Sequence, residues 1–172
     1  MKRRFDAVLF VVVAVLAASP ELNACGDKSL SAGGIRMQRA MAARYPASVL
    51  AYVPSNSSVS AAARELKLPE TLRQVGHKYH EVASLSELRA SVETGRFNII
   101  VADLGDVADL ERNLGSSASV ALVPVAYKLT KAETREAAKQ RPFLIDASGK
   151  EVRYLRTITD AVRSVSTTSR KG

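Results

Sequence analysis

Short apolar runs alternate with helix-forming segments along most of this chain, and this alternation restricts the folds that it can adopt. Two of the runs, SVLAYV at 48–53 and FNIIVADL at 97–104, are apolar almost throughout, which is typical of strands buried on both faces. Three more runs have the length of a strand, and these are KYHEVAS, SVALVPVAY and PFLIDAS. The sequence therefore predicts five strands that are separated by helices.

The segments between these runs carry helix start and stop signals. Ser84 and Thr130 are each followed three residues later by glutamate, which is the capping-box pattern that begins a helix. Pro69 divides the segment after the first strand into two predicted helices, 61–68 and 71–75. The last segment predicts an amphipathic helix whose apolar stripe comprises Val152, Leu155, Ile158, Val162 and Val165.

Strands that alternate with helices predict a parallel sheet, because the right-handed crossovers between parallel strands place helices on both faces. We therefore expect an α/β, three-layer fold with five parallel strands in the flavodoxin-like order 2-1-3-4-5. In such folds, ligands bind at the carboxyl ends of the first and third strands. Asp103 ends the third predicted strand, which makes it the first candidate for a functional side chain.

The beginning of the chain has the features of a secretory signal peptide. Basic residues at 2–4 precede an apolar stretch at 7–18, which has the length of a signal core and is short for a membrane span. The residues LNAC that end at Cys25 resemble a bacterial lipobox. The resemblance implies that Cys25, the only cysteine in the chain, is lipidated and becomes the first residue of the mature protein.

The same resemblance implies a periplasm-facing lipoprotein of the cell envelope, which several acyl chains hold at the membrane. Gly26 stands where the enterobacterial pattern for inner-membrane retention has Asp, and this weakly favours the outer membrane. Simple secretion to the periplasm is the alternative. The predicted organisation is a signal peptide at 1–24, a lipid-anchored tether at 25–46, an α/β domain at 47–166 and a polar tail at 167–172.

The positive charge of the chain suits anionic partners, but without a dense basic run a surface that is simply solvated is the more common explanation. The formal net charge is +8, and it becomes +7 without residues 1–24, which contain three basic and two acidic side chains. Within the tether, 35–44 contains three arginines and predicts either a short amphipathic helix on anionic lipid headgroups or a solvated linker. The chain lacks a dense run of Lys and Arg and has few aromatic residues, so we expect no binding to nucleic acid.

The segment FNIIVADLGDVADL resembles the third strand and following loop of receiver domains from two-component response regulators. The resemblance extends at the level of the fold over about 48–164, and it implies that Asp103 occupies the phospho-acceptor position. Transfer of a phosphoryl group to a carboxylate also requires neutralisation of charge around the acceptor. Receivers achieve this with acidic residues that hold a divalent cation, with a hydroxyl group and with a lysine.

The chain departs from the receiver pattern at each of those further positions. Pro54, Ser55 and Asn56 stand where receivers carry the cation-binding acids after strand one. Pro124 lies near the position of the hydroxyl at the end of strand four, and Asp146 lies where the lysine after strand five is expected. These departures predict a degenerate receiver domain that is not an enzyme and that uses no cofactor and no metal.

We therefore expect an interaction module that binds an unidentified envelope protein, with a homodimer as a further expectation. The alternative is a phospho-switch or small-anion sensor that places Asp103 in a pocket lined by Ser55, Asn56, Ser57, Pro124 and Asp146. His77 and His80 lack a well-placed third metal ligand, and we expect them to lie on the surface.

Overall fold

The computed structural model of the protein describes residues 26–55, 57–115, 120–147 and 151–168. Its contacts divide the chain into two units, Met1–Ala32 and Gly33–Gly172, and the second unit contains the whole sheet. The helices are α1 (Gly26–Arg44), α2 (Ser58–Glu65), α3 (Leu68–Gln74), α4 (Leu85–Glu93), α5 (Val107–Leu114), α6 (Lys131–Gln140) and α7 (Glu151–Thr168). The strands are β1 (Ser48–Tyr52), β2 (Lys78–Val82), β3 (Ile99–Asp103), β4 (Ala121–Ala126) and β5 (Ile145–Asp146).

The five strands form one parallel sheet in the order β2-β1-β3-β4-β5. This confirms the α/β class and the strand order that the apolar runs predict. Each strand lies inside the run from which it was predicted, and β3 lies at the centre between β1 and β4. Because all strands run in the same direction, their carboxyl ends meet at one edge of the sheet.

Successive residues of the central strands point to opposite faces of the sheet and feed two separate apolar clusters. One cluster joins Val49 and Val101 to side chains of α2, α3 and α7. The other joins Leu50 and Ile100 to side chains of α4 and α5. The sheet is thus the middle layer of three. Both clusters lie within 42–162, so a chain that begins at Gly26 retains all the core residues of the part that the structure describes.

The helix starts predicted at Ser84 and Thr130 are confirmed, whereas the two helices after β1 begin three residues earlier than predicted, at Ser58 and Leu68. The Ser84 hydroxyl accepts the backbone N–H of Glu87 at 3.2 Å. Thr130 and Glu133 form a complete capping box, in which each side chain accepts the backbone N–H of the other residue. Pro69 lies in the first turn of α3, where its missing N–H costs no hydrogen bond, so the segment after β1 forms two helices as expected.

Pro124 lies inside β4, where a proline needs an explanation because it cannot donate to a sheet. Val125 accepts the N–H of Leu104 on the β3 side, whereas Ala126 accepts the N–H of Ala147 on the β5 side. Backbone groups alternate in direction along a strand. Pro124 therefore faces the β5 side, at a level where β5 has not yet begun, since its first pair is Val125 with Ile145.

The segment predicted as a tether, 25–46, is helical over Gly26–Arg44. Of the two alternatives for 35–44, a short helix or a solvated linker, the structure has the helix, and this helix begins earlier, at Gly26. Alanine, methionine, arginine and glutamine favour helix strongly enough to outweigh the paired glycines at 33–34. Ala42 is fully buried in the core, so helix α1 contributes to packing within the second unit. Among the described residues, no helix is both long and apolar enough to span a bilayer.

His77 is buried, with 3% of its surface exposed, so the prediction that it lies on the surface is wrong; His80 is exposed. The Nδ1 atom of His77 accepts the backbone N–H of Ala47 at 2.9 Å. The carbonyl oxygen of Ala47 in turn accepts the N–H of Lys78 at 2.8 Å. These two bonds fasten the segment between α1 and β1 to the start of β2. The Nε2 atom of His77 is buried without a partner among the described residues, and burial lowers the pKa of the imidazole below its ordinary 6.5.

We predict that His77 makes the stability of the fold sensitive to mild acid. The unfolded chain protonates its imidazole near pH 6.5, whereas the folded chain does so only at lower pH. Stability is therefore full above pH 6.5 and falls as the pH drops from there towards the lower folded pKa. His77→Asn keeps an acceptor for Ala47 without a titrating group, so its denaturant midpoint should fall less than that of the wild type between pH 7 and pH 5.5.

The matched variant His77→Leu removes the acceptor and leaves the Ala47 N–H unsatisfied. It should lose about 1–3 kcal/mol at pH 7, where His77→Asn loses less. If the denaturant midpoints of the wild type and of His77→Asn fall equally between pH 7 and pH 5.5, then His77 does not cause the loss of stability in acid.

Candidate functional site

The candidate site lies where the carboxyl ends of β1 and β3 meet. After β1, the chain makes a tight turn in which the N–H of Ser57 donates to the carbonyl oxygen of Pro54 at 2.8 Å. Ser57 is the N-cap of α2, and its hydroxyl accepts the N–H of Val59 at 3.0 Å. The sequence favours this start, since serine competes well for the free N–H groups of a first helical turn.

Asp103, at the end of β3, is half-buried and holds this turn directly. Its Oδ2 atom accepts the backbone N–H of Ser58 at 3.2 Å and also accepts the Ser58 hydroxyl. Its Oδ1 atom accepts the N–H of Gly105 at 3.0 Å, within its own loop. Both oxygens of the carboxylate thus bind donors from the protein, and the two loops at the switch point are joined through one side chain.

Two N–H groups in the first turn of α2 therefore already have acceptors. Ser58 N–H binds Asp103, and Val59 N–H binds Ser57. The free N–H groups and the helix dipole make this end of a helix positive, which stabilises a carboxylate and repels a cation. A divalent cation at Asp103 would have to displace donors that point at the same oxygen. The geometry thus favours an internal anion over a bound metal.

Two further acidic residues follow Asp103 in the loop and in α5. The N–H of Asp106 donates to the carbonyl oxygen of Asp103 at 3.0 Å. Burial raises the pKa of the Asp106 carboxyl, and the nearby charges of Asp103 and Asp109 raise it further. Asp109 pairs with Arg112 on the surface of α5. The described residues contain no group of three His, Cys, Asp or Glu side chains that could hold a metal ion.

The other predicted pocket residues do not all gather around Asp103. Ser55 is exposed in the turn after β1, and Asn56 lies outside the described residues, as does Cys25. Pro124 is buried within β4 opposite Ala102, one position before the level of Asp103. Ser58, which binds Asp103 most directly, was not among the predicted pocket residues; its position beside the serine N-cap was the available signal.

Asp146 lies at the end of β5 and belongs to a different part of the surface. β4 separates β5 from β3, which places the strand axes roughly 10 Å apart. Asp146 lines a cavity of about 210 Å³ between α6 and α7, together with Thr134, Arg153 and Tyr154. The hydroxyl of Tyr154 donates to the carbonyl oxygen of Leu66 at 3.1 Å. The structure therefore does not combine Asp103 and Asp146 into one charged site.

No protein-family model matches this chain, and no curated protein or solved structure matches it either. The residues of the site and their geometry are therefore what indicate a function. That geometry brings together Asp103, Ser57 and Ser58 at the switch point of the sheet, and each of these side chains binds a backbone donor or a partner side chain of the same chain.

We predict that Asp103 and Ser58 stabilise the fold as a coupled pair. Asp103→Ala removes the acceptor for three donors and should lower the free energy of unfolding by about 1–3 kcal/mol. Ser58→Ala removes only the hydroxyl donor and should cost less. A double-mutant cycle in urea should return a coupling energy of about 1 kcal/mol, because the two single changes remove a shared bond.

Ser55→Ala is the matched control, because this serine lies exposed in the same turn. Its substitution should leave both the stability and the coupling unchanged. Additive effects of Asp103→Ala and Ser58→Ala would contradict the assignment of Asp103 as the link between the two loops.

Proposed function

We propose that the protein is an exported, lipid-anchored and non-catalytic receiver-like module that binds a protein partner in the bacterial envelope. The observation that carries the non-catalytic part is the environment of Asp103. At the position that resembles a phospho-acceptor, the carboxylate binds Ser58 and Gly105 through both of its oxygens. It acts as the internal anion of helix α2.

The requirements of phosphoryl transfer support this proposal, because the surroundings of Asp103 differ from them. The reaction requires an acceptor oxygen in line with the donor, together with positive charge on the transferred group. At Asp103, Ser58 donors occupy the Oδ2 atom, and the described residues bring together no group of three His, Cys, Asp or Glu side chains that could hold a cation there. The residue that ends β5 is the acidic Asp146. This environment favours a structural carboxylate over a reactive one.

The same contacts weigh against the small-anion sensor. An anion site at the start of α2 would use the N–H groups of its first turn. Those of Ser58 and Val59 already bind Asp103 and Ser57. A dissolved anion would compete with a carboxylate that the fold holds in place, so its binding would have to offset the loss of the link between two loops.

The surface around β5 and α7 supports a polar protein contact. Only two large apolar side chains are well exposed in the described part of the chain, Met37 and Leu129. Helix α7 instead presents three exposed arginines, Arg153, Arg156 and Arg163, of which Arg156 lies 3.8 Å from Asp160 on the same helix. A partner at this surface would therefore carry acidic groups. The export and the lipid anchor are supported by the signal-like residues 1–24 and by Cys25 in LNAC.

An NMR experiment tests whether Asp103 is reactive. Chain 26–172 is mixed with Mg²⁺ and then with beryllofluoride or acetyl phosphate, while the amide signals of Ser58 and Gly105 are followed. Both N–H groups bind the Asp103 carboxylate, so a group added to that carboxylate must displace them and shift their signals. We expect both signals to stay in place.

Asp103→Asn and Asp106→Asn serve as matched variants in this experiment. A shift that appears in the wild type and in Asp106→Asn, but not in Asp103→Asn, would overturn the non-catalytic proposal and establish the phospho-switch. A shift with phosphate alone, without Mg²⁺, would instead establish the anion sensor.

A second experiment tests the lipid anchor. The full chain, expressed in a bacterium that processes lipoproteins, should incorporate a labelled fatty acid and sediment with membranes. Cys25→Ser removes the thiol that would carry the diacylglyceryl group, so the label should disappear. An unlabelled wild-type protein would contradict the lipoprotein proposal, whatever the outcome of the NMR experiment.

A further inference from the structure

Within the second unit, helix α1 has one face in the core and one face in solvent. Ala42 is fully buried, and Gln38 and Met41 are half-buried on the same side. The opposite side consists of exposed residues that share helical spacing. We call this side the α1 basic face, and its members are Arg36, Met37, Arg39, Ala40, Ala43 and Arg44.

The α1 basic face carries positive charge in a stretch of sequence that lacks acidic residues. There is no Asp or Glu between Asp27 and Glu65 in the sequence, so the α1 basic face contains three basic residues and no acidic one. A further cation lies close by, because the guanidinium of Arg163 in α7 stacks over the ring of Tyr45 at 5.6 Å. The face is thus a local concentration of guanidinium groups.

Helix α6 has a different arrangement of charges from the α1 basic face. It has three exposed cations as well, at Lys131, Arg135 and Lys139. These are interleaved with Glu133 and Glu136, and Lys139 binds Glu136 at 2.7 Å. Charges of both signs on one helix are typical of a solvated surface. The α1 basic face has only one sign of charge, which is typical of a surface that meets an anionic partner.

Met37 adds an apolar element to the same face. Its side chain is 66% exposed, although large apolar side chains are otherwise almost absent from the described surface. Guanidinium groups bind phosphate oxygens in a bidentate manner, and a thioether can enter the boundary between headgroups and acyl chains. A helix with both features can bind anionic headgroups through its arginines and can place Met37 at the boundary with the acyl chains.

We infer that the α1 basic face docks onto the surface of an anionic phospholipid bilayer. The choice of a membrane as the occupant rests on the proposed function, in which Cys25 is anchored there. Arg36 follows Cys25 by only eleven positions in the sequence. Even a fully extended chain of that length spans no more than about 40 Å, so an anchored protein always keeps this face within reach of the headgroups.

Docking gives the anchored protein a second, electrostatic attachment. Acyl chains fix the protein to a membrane but leave a tethered domain free to rotate. Arginines that meet anionic headgroups add a force that falls off within a Debye length and that depends on the lipid charge. The α1 basic face would therefore hold one side of the domain against the bilayer.

The test measures binding of unacylated chain 26–172 to sucrose-loaded vesicles by sedimentation. This chain retains the whole core and lacks Cys25, so acylation cannot contribute. Vesicles of phosphatidylcholine with 30% phosphatidylglycerol are compared with pure phosphatidylcholine at low salt. We expect binding to the anionic vesicles only, with release at high salt.

Each cation near an anionic surface strengthens binding about fivefold. The triple variant Arg36→Gln, Arg39→Gln, Arg44→Gln should therefore bind on the order of 100-fold more weakly. The matched control is Lys131→Gln, Arg135→Gln, Lys139→Gln, which changes the net charge equally on helix α6 and should change binding less than about threefold.

A third variant, with the same three arginines of α1 replaced by lysine, keeps the charge and should retain most of the binding. This variant separates loss of charge from damage to the helix. Equal losses in the α1 and α6 triple variants, equal binding to neutral vesicles, or no binding by the wild type would each overturn the inference. Fatty-acid labelling of Cys25 in cells tests the proposed anchor separately, because it does not depend on the arginines.

Discussion

The burial of β3 on both of its faces is the constraint from which the rest of the fold follows. Ile99 and Val101 point into one apolar cluster, and Ile100 and Ala102 point into the other. A strand covered in this way must lie in the middle of a sheet, so it has neighbours on both sides and helices above and below. The next residue is Asp103, which emerges at the edge with a charge that the core cannot accept. The start of α2 lies there, and the N–H of Ser58 donates a hydrogen bond to the carboxylate.

Much of the architecture could be predicted because the apolar runs and helix caps act locally. The runs around Leu50 and Ile100, and the caps at Ser84 and Thr130, determine strands and helix starts without reference to distant contacts. His77 could not be placed in this way. Its burial depends on Ala47, thirty residues earlier in the chain, and no local pattern records such a pairing.

At the candidate site, too, local features could be predicted from the sequence and distant contacts could not. The position of Asp103 at the end of a strand could be predicted from the continuous apolar run that it follows. Its partner could not, because Ser58 and Asp103 are 45 residues apart and meet only through the register of two parallel strands. Helix α1 is an intermediate case: its residues favour helix, but the burial of Ala42 depends on the strands that follow.

Pro124 affects how this sheet avoids a shifted strand register and aggregation through its edge. Its ring removes a backbone donor on the side that faces β5, directly before the level where β5 begins. A last strand that slid towards the amino end of β4 would meet a position that cannot complete a hydrogen bond. An extended segment from another molecule that paired with this side of β4 would meet the same missing N–H donor. One imino acid thus discourages both a shifted register and the edge-to-edge growth by which sheets aggregate.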